Sequence, residues 1–449
     1  MDISALLPQF GSLLGVIAAF VVALSVIVAV HEYGHYIVGR WSGIKAEVFS
    51  LGFGPVLFSR VDKHGTRWQV AALPFGGYVK FLGDADAASG KDSAAMTATP
   101  PERLRQTMHG APLWARSATV AAGPVFNFIL SILIFGGVIL AQGKMAEPLQ
   151  VGSLKPLPAQ GIALQPGDTV LDISGTPMPG YDDRGAFDTF TSALPDQQVM
   201  EYRVLRDGQE LTVPGPHPLP PIVTALAPQS AAYNAGIKAG DVISGINGTP
   251  ILSFTQLKEV VEASNGAPLQ LDVWRDGTQQ QQLSLTPRRM DEPQVDGGFA
   301  TQWRIGIAGG WAFEPGTEAV GPIEALGDGV RQTYAVAASS VSGLYYMVTG
   351  AISSCNMSGP IGIAQTSGAM ASQGAENFIW FIAVLSTAVG LLNLFPIPVL
   401  DGGHLVFHAY EAVFRKPPSD GALRVMMTIG LTMILSLMLF ALFNDIWCP

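Results

Sequence analysis

A chain of 449 residues with 48% hydrophobic and only 13% charged residues lies outside the composition of an ordinary soluble enzyme and reads as a multipass membrane protein. Its net charge of -10 comes with no basic stripe that could neutralise phosphates, which argues against nucleic acid as a partner. Cys355 and Cys448 lack C-x-x-C spacing, so they are expected to be apolar packing residues rather than a metal or redox pair.

Leu13 to Val30 is an almost unbroken apolar run that ends at ionisable residues rather than at a small-residue cleavage site, which predicts a first membrane helix within residues 1–40. Three further spans are expected near residues 117–141, 378–395 and 425–443, each long enough to cross a hydrocarbon core of roughly 30 Å. The loop from Arg40 to Arg116 carries ten Lys and Arg, whereas the far longer stretch from Gly143 to Asn377 carries only twelve. A short basic loop belongs in the cytoplasm and a long domain crosses regardless of charge, so the long stretch and both termini are expected in the periplasm.

Within that stretch, Leu164-Gln-Pro-Gly-Asp-Thr-Val-Leu-Asp-Ile-Ser-Gly-Thr-Pro177 recurs as Ile237-Lys-Ala-Gly-Asp-Val-Ile-Ser-Gly-Ile-Asn-Gly-Thr-Pro250. Each copy continues to an Arg-Asp-Gly turn, at Arg206 and Arg275, between strand-like residues. Two β-rich domains, 143–219 and 220–290, are expected, and their pattern resembles PDZ domains. Residues 291–376 read as a linker with amphipathic helices between Glu318 and Ile352, where Tyr345, Tyr346 and Met347 suit a membrane surface.

The chemistry begins at His31-Glu32-Tyr33-Gly34-His35, which directly continues the first apolar run. On a helix the two imidazoles project from one face and can grip one metal ion, while Glu32, about 100° away, can reach a metal-bound water. Ionisable groups at membrane depth cost about 2.5–3.5 kcal/mol each and normally mark function. A catalytic zinc site needs a third ligand and an open fourth position. Asp401, in Leu392-Asn-Leu-Phe-Pro-Ile-Pro-Val-Leu-Asp-Gly-Gly-His404, is the strongest candidate, since Pro396 and Pro398 break the third span and Gly402 and Gly403 allow close backbone approach. His404 competes with it. His408 and the loop residues His64, His109 and His217 are expected at the surface.

Together these motifs resemble the site-2 proteases over nearly the whole chain. The resemblance implies a fold of four transmembrane helices, a membrane-associated β-sheet and two periplasmic PDZ domains, with Zn2+ held by His31, His35 and Asp401 and with Glu32 as catalytic base. It implies that Asn393 holds the substrate backbone, and that Leu51–Pro55 and Pro74–Lys80 form a hairpin sheet with a free edge at Gly76, Gly77 and Tyr78. Such an edge can take up an unwound substrate as an added strand. The implied partners are membrane lipid and single-span membrane proteins, an anti-sigma factor trimmed by a first protease and remnant signal peptides among them, in envelope stress signalling at a bacterial inner membrane. Ala122-Gly-Pro-Val-Phe-Asn127 also looks like family sequence and is expected to serve close helix packing. Two other readings are a membrane-anchored zincin acting on soluble peptides, which needs no Asp401 motif, and an inactive PDZ scaffold, which predicts a damaged metal site.

Overall fold

The apolar run and the His-Glu motif form one helix, α1 (Leu13–Trp41), because nothing in them interrupts helical hydrogen bonding. Its buried residues include Gly15, Ala19, Ala23, Ile27 and Gly34, a stripe of mostly small side chains that lets neighbouring backbones come close. The computed structural model describes residues 13–85, 96–97, 100–180, 184–227, 229–275, 277, 279–293 and 298–448. The N-terminus and Asp276 of the second Arg-Asp-Gly turn lie outside them. The chain divides into two compact units, one built from residues 1–138, 322–344 and 357–449, the other from 139–321 and 345–356.

In the first unit, β1 (Ala46–Val61) and β2 (Arg67–Phe81) form an antiparallel hairpin whose long strands bend back on themselves. Phe49 pairs with both Val79 and Trp68, and Arg60 also pairs with Trp68, so the strand runs order as 77–81, 46–51, 67–70 and 56–61. The run from Gly77 to Phe81 is therefore an edge. At the far end, Asp62 accepts hydrogen bonds from the backbone N–H of His64 and Thr66, the Trp68 indole and the Tyr36 hydroxyl. Burial alone would raise its carboxyl, but these bonds outweigh it and bring the pKa down to about 2.

Besides a one-turn helix at Pro101–Leu104, the remaining elements of this unit are the helices α2 (Leu113–Gln142), α3 (Pro322–Val348), α4 (Pro360–Ser372), α5 (Ala375–Asn393), α6 (Asp401–Phe414) and α7 (Asp420–Trp447). Of these, α2, α5 and α7 join α1 as the four described helices long and apolar enough to cross a membrane. A Cβ on Gly34 would lie 2.5 Å from the Ala122 carbonyl oxygen, so α1 and α2 pack backbone to backbone at the His-Glu motif. The segment between α5 and α6 is not helical, because Pro396 and Pro398 cannot donate backbone hydrogen bonds. At the start of α4, Asp445 of α7 accepts from the N–H groups of Gly359, Ile361 and Gly362, placing a carboxylate on a helix N-terminus.

The second unit makes the repeat visible as structure. In the first copy β3 (Thr169–Ile173), β4 (Thr176–Pro177), β5 (Val199–Arg206) and β6 (Gln209–Pro216) lie in the order β4-β3-β5-β6; in the second β7 (Val242–Ile246), β8 (Thr249–Pro250), β9 (Leu269–Arg275) and β10 (Gln279–Leu285) lie in the order β8-β7-β9-β10. A register shift falls between Val170 and Asp172 in one and between Ile243 and Gly245 in the other, at matching positions. The helices Arg184–Ala193 and Phe254–Ala263 also correspond. The repeated residues explain one another: Arg206 clasps Asp168 through two nitrogens, and Arg275 clasps Asp241 in the same way.

Two expectations need correction. Residues 299–318 are not a linker. Phe299–Arg304 forms a hairpin with Arg288–Pro293, and the shorter strands after it pair back with both copies, Phe313–Pro315 with Val151–Leu154 and Ile307–Ala308 with Ala225–Leu226; Phe313 is fully buried in the first core. Strands this short show no alternation to read, and their partners are distant in sequence. Nor are the cysteines mere packing residues, since Cys355 and Cys448 are both disulfide-bonded.

Candidate metal centre

Helical spacing brings the two imidazoles of α1 together, with ring centroids 4.8 Å apart and an interplanar angle of 86°. Asp401, the first residue of α6, faces them. Its Oδ2 lies 3.2 Å from His31 Nε2 and its Oδ1 3.5 Å from His35 Nε2, while the two Nε2 atoms are 3.2 Å apart. Among the described residues this is the one group of three His, Cys or carboxylate ligands whose donor atoms converge, all within 4.8 Å. Gly402 and Gly403 make the approach possible, because a Cβ on either would stand 2.2–2.3 Å from a carbonyl oxygen of the broken segment, Phe395 or Ile397.

The donors fit a divalent metal. Asp401 Oδ2 is buried without a hydrogen-bond partner, an arrangement that a cation between carboxylate and imidazoles would satisfy. Two imidazoles and one carboxylate suit zinc and leave a fourth position free. His35 Nδ1 lies 2.8 Å from the Thr119 carbonyl on α2, so it carries the proton and donates, leaving the Nε2 lone pair for the metal. His404 lines the same cavity but stands outside the converging group.

A cavity of about 250 Å³ adjoins the three ligands, and Glu32, Gly77, Tyr78 and Asn393 line it. Glu32 has its Cγ close beside Gly77, so the expected base stands next to the edge of the hairpin. Gly77 is required there, since a Cβ would come within 2.8 Å of the Ser50 carbonyl oxygen and 3.1 Å of Glu32 Cγ. Tyr78 accepts from the Gln69 amide and stacks on Phe53. Gly76 packs on Phe53 at φ +131 and does not line the cavity. The Asn393 amide donates to the Val389 carbonyl one turn back, which orients the side chain at the cavity wall.

Three of the four histidines expected at the surface are not there. His109 and His408 line the cavity, and His217 is buried with its Nδ1 accepting from the Leu219 N–H; His64 alone is exposed. His109 Nε2 lies 3.3 Å from Asp84 Oδ1, and burial holds the Asp84 carboxyl above its ordinary value against the opposing pull of that imidazole. His408 meets Ser117 at 3.2 Å, beside a two-pronged Arg116–Glu411 pair that joins α2 to α6. The contacts at His408 and Arg116 span nearly 300 residues of sequence, and nothing in the local pattern announces them.

The family model for Peptidase family M50 matches residues 19–437. A protein of Agrobacterium fabrum named as a zinc metalloprotease is 37% identical over 440 residues, covering 97% of each chain. A Vibrio cholerae protein named likewise is 33% identical over 95% of this chain and 97% of its own. The regulator of sigma-E protease RseP of Salmonella typhimurium is 33% identical over 97% of this chain and 99% of its own. Because the match runs through α1, the hairpin, the repeats and the Asp401 segment alike, the chain belongs to peptidase family M50, the site-2 proteases, and is a membrane-embedded zinc metalloprotease.

Proposed function

We propose that this protease hydrolyses peptide bonds inside the transmembrane segments of single-span membrane proteins, with zinc held by His31, His35 and Asp401 and with Glu32 as base. The observation that carries the proposal is the convergence of Asp401, from the broken segment after α5, on two histidines of α1, since α1 and α5 are both candidate membrane spans. A metal held there would polarise the scissile carbonyl and lower the pKa of water towards about 7. Glu32 would take a proton from the attacking water and return it to the leaving amine. A membrane helix hides its amides in its own hydrogen bonds, so the substrate must unwind before it can be cut. The free edge at Gly77 and Tyr78, beside Glu32, offers main-chain partners to the unwound strand, and the Asn393 amide oxygen accepts from its backbone.

The two repeat domains are of the PDZ type and lie in the periplasm, where they exclude substrates that still carry bulky domains; an anti-sigma factor already trimmed by another protease is a fitting substrate in envelope stress signalling. This orientation is supported by the basic 40–116 loop and by the disulfide-bonded state of Cys355 and Cys448, since disulfides persist in oxidising compartments such as the periplasm. The proposal is tested by incubating the detergent-solubilised chain with a single-span substrate and mapping the cut by mass spectrometry. Cleavage within the apolar segment is expected. Equal cleavage of a soluble peptide of the flanking sequence would instead favour a membrane-anchored protease working in water.

A further inference from the structure

His31 has an unexplained neighbour. Asn127 of α2 is fully buried, its Nδ2 lies 3.2 Å from His31 Nδ1, and its Oδ1 is buried with no hydrogen-bond partner. The Asn127 backbone is held in place, because its carbonyl accepts from both Ser131 and Ser386. Gly123, one turn earlier, has no room for a side chain, as a Cβ would come within 2.4 Å of His35 Nε2 and 2.7 Å of His31 Cε1. Thr119, one turn earlier still, receives the His35 Nδ1–H. Residues 119, 123 and 127 thus form one stripe of α2 lying directly beneath the two imidazoles.

With His31 Nε2 aimed at Asp401, a metal at that point takes the Nε2 lone pair and leaves the proton on Nδ1. An amide nitrogen opposite that N–H would set two donors against each other while an acceptor on the same side chain stays unpaired. Turning the amide through about 180° removes the donor–donor clash and pairs the oxygen, leaving the NH2 in the buried position without a protein partner; the oxygen and nitrogen of an amide are assigned by such partners. We infer that Asn127 is a positioning residue of the metal centre: its side-chain oxygen accepts from His31 Nδ1–H, fixing the tautomer and ring orientation that bind the metal, as the Thr119 carbonyl does for His35. The inference rests on His31 being a ligand.

The test is the zinc affinity of the full chain in detergent, measured by competition with a chromophoric chelator for the wild type, Asn127→Leu, Asn127→Asp and His31→Ala. Partners of this kind typically contribute 10–100-fold to metal affinity. Asn127→Leu, which fills the space without an acceptor, is expected to bind zinc about 10–100-fold more weakly. Asn127→Asp keeps an acceptor and loses the donor, so it should match or exceed the wild type. A loss of affinity in Asn127→Asp equal to that in Asn127→Leu would overturn the inference, as would wild-type affinity in Asn127→Leu. Should Asn127→Leu fail to fold, Asn127→Asp decides alone, a loss of about 10-fold or more against the wild type overturning the inference. Unchanged affinity in His31→Ala would instead sink the metal-centre reading on which the inference depends.

Discussion

Glu32 and Asp401 are both carboxylates at the same cavity, yet they are expected to respond differently to mutation because only one of them converges with the histidines. Glu32→Gln keeps the shape of the side chain and all three converging ligands, so the variant should hold zinc as the wild type does while its cleavage rate falls by about 10²–10⁴-fold. Metal analysis alongside a cleavage assay checks this, and lost zinc would show that Glu32 is a ligand instead. The His-Glu motif and Asp401 were legible in the sequence because a helix turns a four-residue spacing into a shared face and a proline-glycine pattern into a broken span. Thr119 was not, because it acts through a backbone carbonyl; Gly123 and Asn127 stood out only within a segment expected to pack helices closely, and their place beside the imidazoles depends on a contact between separate helices.

At the scale of elements, the hairpin and the repeats each rest on a buried or clustered charge. Asp62 ties the end of the hairpin together, and its pKa of about 2 lies below the ordinary carboxylate value near 3.8. Its stabilising effect is therefore complete above about pH 4 and is lost as pH falls towards 2. The difference in thermal stability between the wild type and Asp62→Asn should be largest near neutral pH and shrink across that window; a constant difference down to pH 2 would contradict the assignment. In the second repeat, Arg275→Ala strands the fully buried Asp241 carboxylate and should cost about 3–5 kcal/mol, read from the denaturation of that unit. A loss below about 0.5 kcal/mol would mean that the pair is no more than a surface contact. The repeats were visible because the Gly-Asp and Arg-Asp-Gly motifs recur, and the structure shows why they recur together. The strands returning through residues 307–318 escaped notice because two- and three-residue strands carry no periodicity, and their placement is fixed only by distant partners.

For the whole molecule, four apolar helices were evident from composition alone, since a membrane span leaves a long unambiguous run. The disulfide-bonded state of the cysteines was not, because bridging depends on three-dimensional proximity and on compartment rather than on spacing. If the proposed orientation is right, a membrane-impermeant thiol reagent applied to spheroplasts should modify Cys355 and Cys448 only after reduction. Modification only after the membrane is broken would place that end in the cytoplasm. The central claim, that two distant membrane segments build one metal site, is tested most directly by Asp401→Ala, comparing bound zinc and cleavage of a single-span substrate with the wild type in detergent. Loss of both is the predicted result. Retention of zinc and activity would remove Asp401 from the centre and contradict the account.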